Sequence, residues 1–305
     1  MSEQQKAHGL GPHVVGVRVV VRRTVPGETG PSGGPALTDV LGVCTAWGDG
    51  VCVVMPESGI PVTIPLADIV AGKPVPPRAS IRMRIPAHDA ELHVGSLWPT
   101  IETEPLGGWL LRAAPPDGGR LRRRANSVLA MRDPGLPLDE ALLAVSTFYA
   151  AREQRPLAQV EAGSDIENAL RDRGWTPLPD GEAAFDLAAV PHVLRRLRHV
   201  SAPVALEEDP GHAGHAVAHL GDSHGRAVVD RDWLGLHGLY VDPAARRTGV
   251  AQALLAELLE WGASQGASTA WLHVETDNLP GLALYAKLGF ELHHTCRYLQ
   301  EPAAS

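Results

Sequence analysis

The run Leu239-Tyr240-Val241-Asp242-Pro243 leads through Arg246-Arg247-Thr248-Gly249 into Val250-Ala251 and an amphipathic helix. A strand, a short loop with two arginines and a glycine at a helix start are the parts of a polyphosphate site. The first backbone N–H groups of a helix have no acceptor within it and lie at the positive end of its dipole. Gly249 would let a phosphate reach that backbone with no Cβ in the way, and Arg246 and Arg247 add charge. The same residues also suit a plain turn, because Asp242-Pro243 is a common turn pair and arginines often serve only to hydrate a loop.

Downstream text separates these readings. Asn278 is followed by a helix carrying Leu284-Tyr285-Ala286-Lys287-Leu288-Gly289-Phe290. This combination resembles the GNAT superfamily of acyl-CoA-dependent N-acetyltransferases, in a bacterial type with an N-terminal Src-homology-3-like barrel and a tandem or extended GNAT region. The family's (Gln/Arg)-x-x-Gly-x-(Gly/Ala) motif is met by Arg246, Gly249 and Ala251. Its later Asn is met at Asn278, and its Leu-Tyr-x-x-x-Gly-Phe signature at Leu284, Tyr285, Gly289 and Phe290. The resemblance is strong over about Pro203 to Tyr298, weak from Leu97 to Val190 and absent before that.

The resemblance implies acetyl-CoA as acyl donor. The backbone of Leu239, Tyr240 and Val241 would pair with the pantetheine arm like an added strand. Residues Arg246, Arg247, Thr248, Gly249, Val250 and Ala251 would cradle the pyrophosphate, and Asn278 would bind the pantetheine end. Tyr285 holds the position that protonates the departing CoA thiolate. The expected function is acetyl transfer to a primary amine, on a small molecule or a protein, by direct attack in a ternary complex. An alkylammonium has a pKa near 10.4, so a base or a water chain must take its proton. His237, two and four residues before Leu239 and Val241 and on their face of a regular strand, is one candidate; Glu275, just beyond the neighbouring strand, is the other. Each could equally be a packing or surface residue.

Other clusters carry less. His212, His215, His219 and His224 lie in Gly/Asp-rich strand and turn text with no Cys among them, which reads as exposed histidine. Cys44, Cys52 and Cys296 have no metal-ligand spacing, so no metal is expected, and Cys296 reads as a buried strand residue. Arg120, Arg122, Arg123 and Arg124 read as a solvated strand edge, with contact to CoA or an acidic substrate as the alternative. Asn126 and Ser127, polar on an apolar strand, either face the acceptor cleft or water.

These residues need elements to hold them. Residues 1–12 read as a disordered lead and 13–85 as a small β-barrel, from short alternating strands joined by turns such as Gly48-Asp49-Gly50. A degenerate GNAT-like lobe is expected over 97–190 and the acetyl-CoA-binding lobe over 191–305. Ile166 to Trp175 echoes Leu282 to Phe290, each a short helix, a Gly stop and an aromatic opening a strand, which suggests an internal duplication. The fold class is therefore α+β: a mixed, mostly antiparallel GNAT sheet with flanking helices in two related lobes, after a small all-β barrel. The 305 residues carry a net charge of −8, which argues against nucleic-acid and anionic-membrane partners. With no apolar leader or membrane-length run, a cytoplasmic location is expected. The rival function is a non-catalytic acyl-CoA-binding or scaffold protein whose barrel recruits a partner.

Overall fold

The computed structural model describes residues 9–30, 33–56, 58–75, 81–115, 122–200 and 202–302. The chain divides into two units, Met1–Ala79 and Ser80–Ser305. The first is a five-stranded antiparallel sheet of β1 (Arg18–Thr29), β2 (Pro35–Gly48), β3 (Val51–Met55), β4 (Val62–Pro65) and β5 (Ile69–Pro74), in the order β4-β3-β2-β1-β5. Alternation places Val19 and Val21 inward with Cys44, Cys52, Val54 and Ile64. The expected turn at Gly48-Asp49-Gly50 joins β2 to β3, with positive φ at Asp49 and Gly50. Residues 1–8 of the expected disordered lead lie outside the described residues. Leu10 corrects the rest of that expectation: it is 2% exposed and belongs to the sheet's core.

The second unit begins with a 3-10 turn (Ile81–Arg84), α1 (Ala87–Leu92) and a second 3-10 turn (His93–Leu97), none of them expected from the sequence. The residues up to 85 assigned to the barrel therefore divide differently, for Arg82 Nη2 donates to Ser268 O, deep in the second unit, at 3.2 Å. Next come β6 (Glu102–Leu106), β7 (Trp109–Ala113), β8 (Val128–Leu129), α2 (Leu138–Ala150), β9 (Leu157–Glu161), α3 (Asp165–Arg171) and β10 (Thr176–Ala189). After α4 (Val190–Leu197), also unexpected, follow β11 (Ala205–Glu208), β12 (His215–Leu220), β13 (Ser223–Asp230) and β14 (Trp233–Tyr240). The chain closes with α5 (Val250–Ser264), β15 (Thr269–Glu275), α6 (Leu279–Leu288) and β16 (Glu291–Gln300). Of the strand expected to carry Asn126 and Ser127, only Val128–Leu129 forms. Asn126 instead accepts from Ala114 N at 2.9 Å and donates to Arg122 O at 3.2 Å, a local bonding that competes with the ladder.

All eleven strands form one sheet, in the order β11-β12-β13-β14-β15-β10-β16-β9-β8-β7-β6. The order is symmetric about the antiparallel pair β10–β16. On one side lies β15 with β14 parallel to it, and on the other β9 with β8 parallel to it. The repeat read from the sequence is thus a repeat of β9-α3-β10 in β15-α6-β16. Each copy's closing strand sits inside the other copy: β10 pairs with β15, and β16 with β9. α5 packs its apolar face, Leu254, Leu255, Leu258 and Leu259, into a core shared with α4 and the inward side of β10, β12, β14 and β15.

Candidate active site

β14 and β15 run parallel and pair from Trp233↔Thr269 to Leu236↔Leu272. Beyond that register the two strands part. The cause is local: the β13–β14 register shifts after Arg226↔His237, and Gly238 takes a φ of 58°, so β14 bulges just past Leu236. A positive φ favours glycine, which has no Cβ to clash. The bulge also corrects the face expected for His237. Leu234, Leu236 and Leu239 all meet the α5 core, while His237 turns the other way, so the period of two is broken between them. Past Leu236 the β15-facing backbone edge of Leu239 and Tyr240 is left without its neighbour strand, and Val241 continues it into the loop.

The loop that follows is held by its own residues. Asp242 Oδ1 accepts from Ala244 N at 2.8 Å, and Thr248 Oγ1 donates to Ala245 O at 2.7 Å. Arg247 has a φ of 63°, and Gly249, the N-cap of α5, a φ of 92° with nothing within 4 Å of where a Cβ would stand. The first bond of α5 runs from Ala253 N to Gly249 O at 3.0 Å, so the N–H groups of Val250, Ala251 and Gln252 have no carbonyl of their own helix. Arg246, Arg247 and Thr248 are exposed around this end.

Asn278 caps α6, its Oδ1 accepting from Gly281 N at 3.1 Å, which leaves its amide N–H groups to donate elsewhere. At the far end Gly289 stops the helix, with Phe290 N donating to Tyr285 O at 3.0 Å. Tyr285 stands edge-on to Phe290, ring centroids 5.8 Å apart. Burial, and then the nearby Asp186 carboxyl, push its phenol up to about 12. Asp186, on β10 and 6% exposed, is itself pushed from 3.8 to about 6 by burial. No pattern in the sequence marked it.

At the parted ends of β14 and β15 opens a cavity of about 740 Å³, lined by His237, Gly238, Glu275, Tyr298, Arg123 and Arg226 among others. Burial, with Arg226, His215 and Arg124 adding positive charge, brings His237 down to about 4, so its imidazole is neutral at physiological pH. Glu275 is bound to Arg123, Oε1 to Nη2 3.1 Å. Arg122, Arg123 and Arg124 also line the cavity, so the solvated strand edge expected of them is corrected; Arg120 lies outside the described residues. Ser127 is buried and held by Arg112 Nη2 at 2.9 Å, and Asn126, half-buried, is held by Ala114 N and Arg122 O; neither lines the cavity. The histidine group splits: His212 and His215 line the cavity, while His219 and His224 face one another at the hairpin's far end.

The first copy keeps the scaffold without these parts. Asp133-Pro134 stands where Asp242-Pro243 does, but only Gly135, Leu136 and Pro137 separate it from α2, with no arginine among them. The β6–β7 turn closes over that loop, Gly108 N donating to Asp133 O at 3.0 Å. Trp175 N donates to Leu170 O at 3.1 Å as Phe290 N does to Tyr285 O, so a buried leucine occupies the tyrosine's place.

A family model for the acetyltransferase (GNAT) family matches residues 168–290. A probable histone acetyltransferase of Mycobacterium tuberculosis is 30% identical over 316 aligned residues, 95% of this chain and 96% of that protein. A mycothiol acetyltransferase of Amycolatopsis mediterranei is 47% identical over 55 residues, 18% of each chain. Among solved structures, a GCN5-related N-acetyltransferase from Kribbella flavida superimposes with a TM-score of 0.54 at 15% identity, covering 72% of this chain and 96% of that one.

Proposed function

This chain belongs to the acetyltransferase (GNAT) family and is an acyltransferase, and from that premise we propose that its second copy moves an acetyl group from acetyl-CoA to a primary amine. The observation that carries the proposal is the parting of β14 from β15 past Leu236 and Leu272, between the Gly249 loop and the cavity that His237 and Glu275 line. In this reading the pantetheine arm pairs with the open edge of Leu239, Tyr240 and Val241, with Asn278 donating to its far end. The pyrophosphate lies on the N–H groups of Gly249, Val250 and Ala251, with Arg246, Arg247 and Thr248 around it.

The amine enters through the cavity, leaves its first proton to solvent, and gives its second to His237, neutral above about pH 4, as the C–N bond forms. The amine nitrogen attacks the thioester carbonyl, whose oxygen gains charge beside the Val241 N–H. The tetrahedral adduct collapses by breaking the C–S bond, and the Tyr285 phenol gives its proton to the leaving thiolate and regains one from solvent, to which His237 also returns the proton it took. Glu275 holds Arg123 at the cavity wall and so shapes the acceptor site. The cavity's mixture of Arg123, Arg226, Glu275 and His215 suits a polar acceptor bearing charges of both signs.

Calorimetry with acetyl-CoA tests this on the wild type, Gly249→Ala and Gly249→Glu. Either substitution strains a left-handed position by roughly 1–2 kcal/mol, but only glutamate adds a negative charge at the phosphate position. Micromolar binding by the wild type, weakened in Gly249→Ala and abolished in Gly249→Glu, is expected. Equal losses in both variants would remove the phosphate from this loop. Binding without CoA release on any amine would favour the acyl-CoA-binding scaffold.

A further inference from the structure

Four buried side chains near the centre of the sheet take no part in these steps: Glu91 of α1, His273 of β15, and His294 and Cys296 of β16. The first three are 0%, 3% and 2% exposed at the side chain, and Cys296 is fully buried. Three of them converge on one oxygen of the fourth. Glu91 Oε1 lies 2.8 Å from His273 Nε2, 3.1 Å from His294 Nε2 and 2.9 Å from Cys296 Sγ. Glu91 Oε2, equally buried, has no hydrogen-bond partner among the described residues. A carboxylate offers lone pairs on both oxygens, and three hydrogen bonds would ordinarily be shared between them. Glu91, His294 and Cys296 each bring a ligand atom within 4.8 Å of the other two, close enough to converge on one ion.

The neighbours set the polarity of two of these groups. His293 Nε2 lies 2.8 Å from Ile85 O, which can only accept, so His293 donates there. Its Nδ1 is 2.7 Å from His294 Nδ1. In a neutral His293 that atom accepts, so His294 carries a proton on Nδ1, and its Nε2 and the Glu91 oxygen hold a cation between them: a second proton, or a metal ion that replaces it. At the sulfur, Gln159 Oε1 accepts from Arg112 Nη2 at 2.6 Å, which turns Gln159 Nε2 toward Cys296 Sγ at 3.2 Å. The sulfur accepts there while its thiol donates to Glu91 Oε1, and the Gln159 bond is one a ligating thiolate would keep as its outer hydrogen bond.

We propose that Glu91, His294 and Cys296 form a three-ligand site for a divalent transition metal, with zinc the ion that best suits its donors. An imidazole, a thiolate and a carboxylate are a borderline-soft set that leaves a tetrahedral ion one further position, and His273 Nε2, 2.8 Å from Glu91 Oε1, holds the carboxylate from outside. The carboxylate and thiolate balance both charges of the ion, so the buried site is neutral. Binding releases the Cys296 thiol proton to solvent, and His294 ligates as a neutral ring. The Glu91 Oε1 contacts to His294 and Cys296 lengthen by a few tenths of an ångström, from hydrogen-bond separations to tetrahedral edges of roughly 3.3–3.6 Å. The metal would pin α1 to β16, and α1 leads through the His93–Leu97 turn to Trp98 on the cavity wall.

The test uses the full chain, stripped with a chelator and reloaded with zinc or cobalt(II). The expected results are about one metal bound per chain and a higher melting temperature with zinc. The cobalt adduct should show a thiolate-to-metal charge-transfer band, lost in Cys296→Ser and kept in Cys44→Ser. A wild type that is folded by circular dichroism yet takes up neither ion at micromolar concentration would overturn the site. So would a charge-transfer band that survives Cys296→Ser. Should that variant fail to fold, the wild-type band and stoichiometry decide alone.

Discussion

A phenol can serve a leaving thiolate only if it still holds its proton at the working pH. Tyr285, pushed up to about 12, does so throughout the physiological range. Tyr285→Phe should lower kcat on the order of 10²-fold and leave the acetyl-CoA dissociation constant unchanged, which calorimetry beside steady-state kinetics would show. His237 sits at the other extreme. With an imidazole neutral above about pH 4, the wild-type kcat/KM should show no inflection near 6.5, and His237→Gln should lower it on the order of 10²-fold. A wild-type inflection near 6.5 that vanishes in His237→Gln would refute the low value. Asp186 shows the same physics as a stability effect. The folded protein keeps its proton up to about pH 6, while the unfolded chain releases it at 3.8. The folded state therefore binds more protons in that window and loses stability as pH rises through it, by at most about 3 kcal/mol above pH 6. Asp186→Asn should be more stable than the wild type at pH 8 by up to that amount, with the gap closing toward pH 4. Equal urea midpoint differences at the two pH values would show that the carboxyl is not the cause.

Among the elements, the site is built where regular pairing fails. The bulge at Gly238 ends the β14–β15 ladder, and the edge it opens is the one the pantetheine arm is proposed to use. Gly238→Ala places a Cβ at a φ of 58°, a strain of roughly 1–2 kcal/mol that the strand can relieve by flattening the bulge. The variant should fold, with a melting temperature a few degrees lower, and bind acetyl-CoA more weakly; unchanged affinity would separate the bulge from the donor site. The signature residues of α6 also stabilise the helix that carries them. Asn278 caps its start, Gly289 ends it, and Phe290 bears on the Tyr285 ring. The first copy retains the same stop at Gly174 and Trp175 with Leu170 in the phenol's place, so that copy preserves the architecture without the phenol.

Across the whole molecule, the exchange of closing strands makes the two copies one folding unit. β10 lies between β15 and β16, so residues 191–305 alone would leave those two strands without the partner that joins them. That fragment should be insoluble or unfolded when expressed by itself. Residues 80–305 should be soluble and bind acetyl-CoA as the full chain does, because the five-stranded sheet of residues 1–79 forms its own core. A well-folded 191–305 fragment in a circular dichroism melt would show that the exchange is not needed. No helix among the described residues is long and apolar enough to cross a membrane.

The sequence by itself determined what depends on contiguous chain. The Arg246–Ala251 loop, the Gly289 stop, the helical face of α5 and the echo of α3 in α6 are set by neighbours a few residues apart, and local sterics and hydrogen bonding read directly from residue type. Short or interrupted elements escaped: α1 and α4 span too few turns to show a period, and the bulge at Gly238 turned His237 away from the face that alternation assigned it. The tertiary structure alone decided what depends on strand order. Glu91 meets His273 and His294 across 182 and 203 residues of chain, and Arg123 of the first copy meets Glu275 of the second across 152. Such pairs have no spacing to recognise, because the exchange of β10 and β16 between the copies, and not distance along the chain, brings them together.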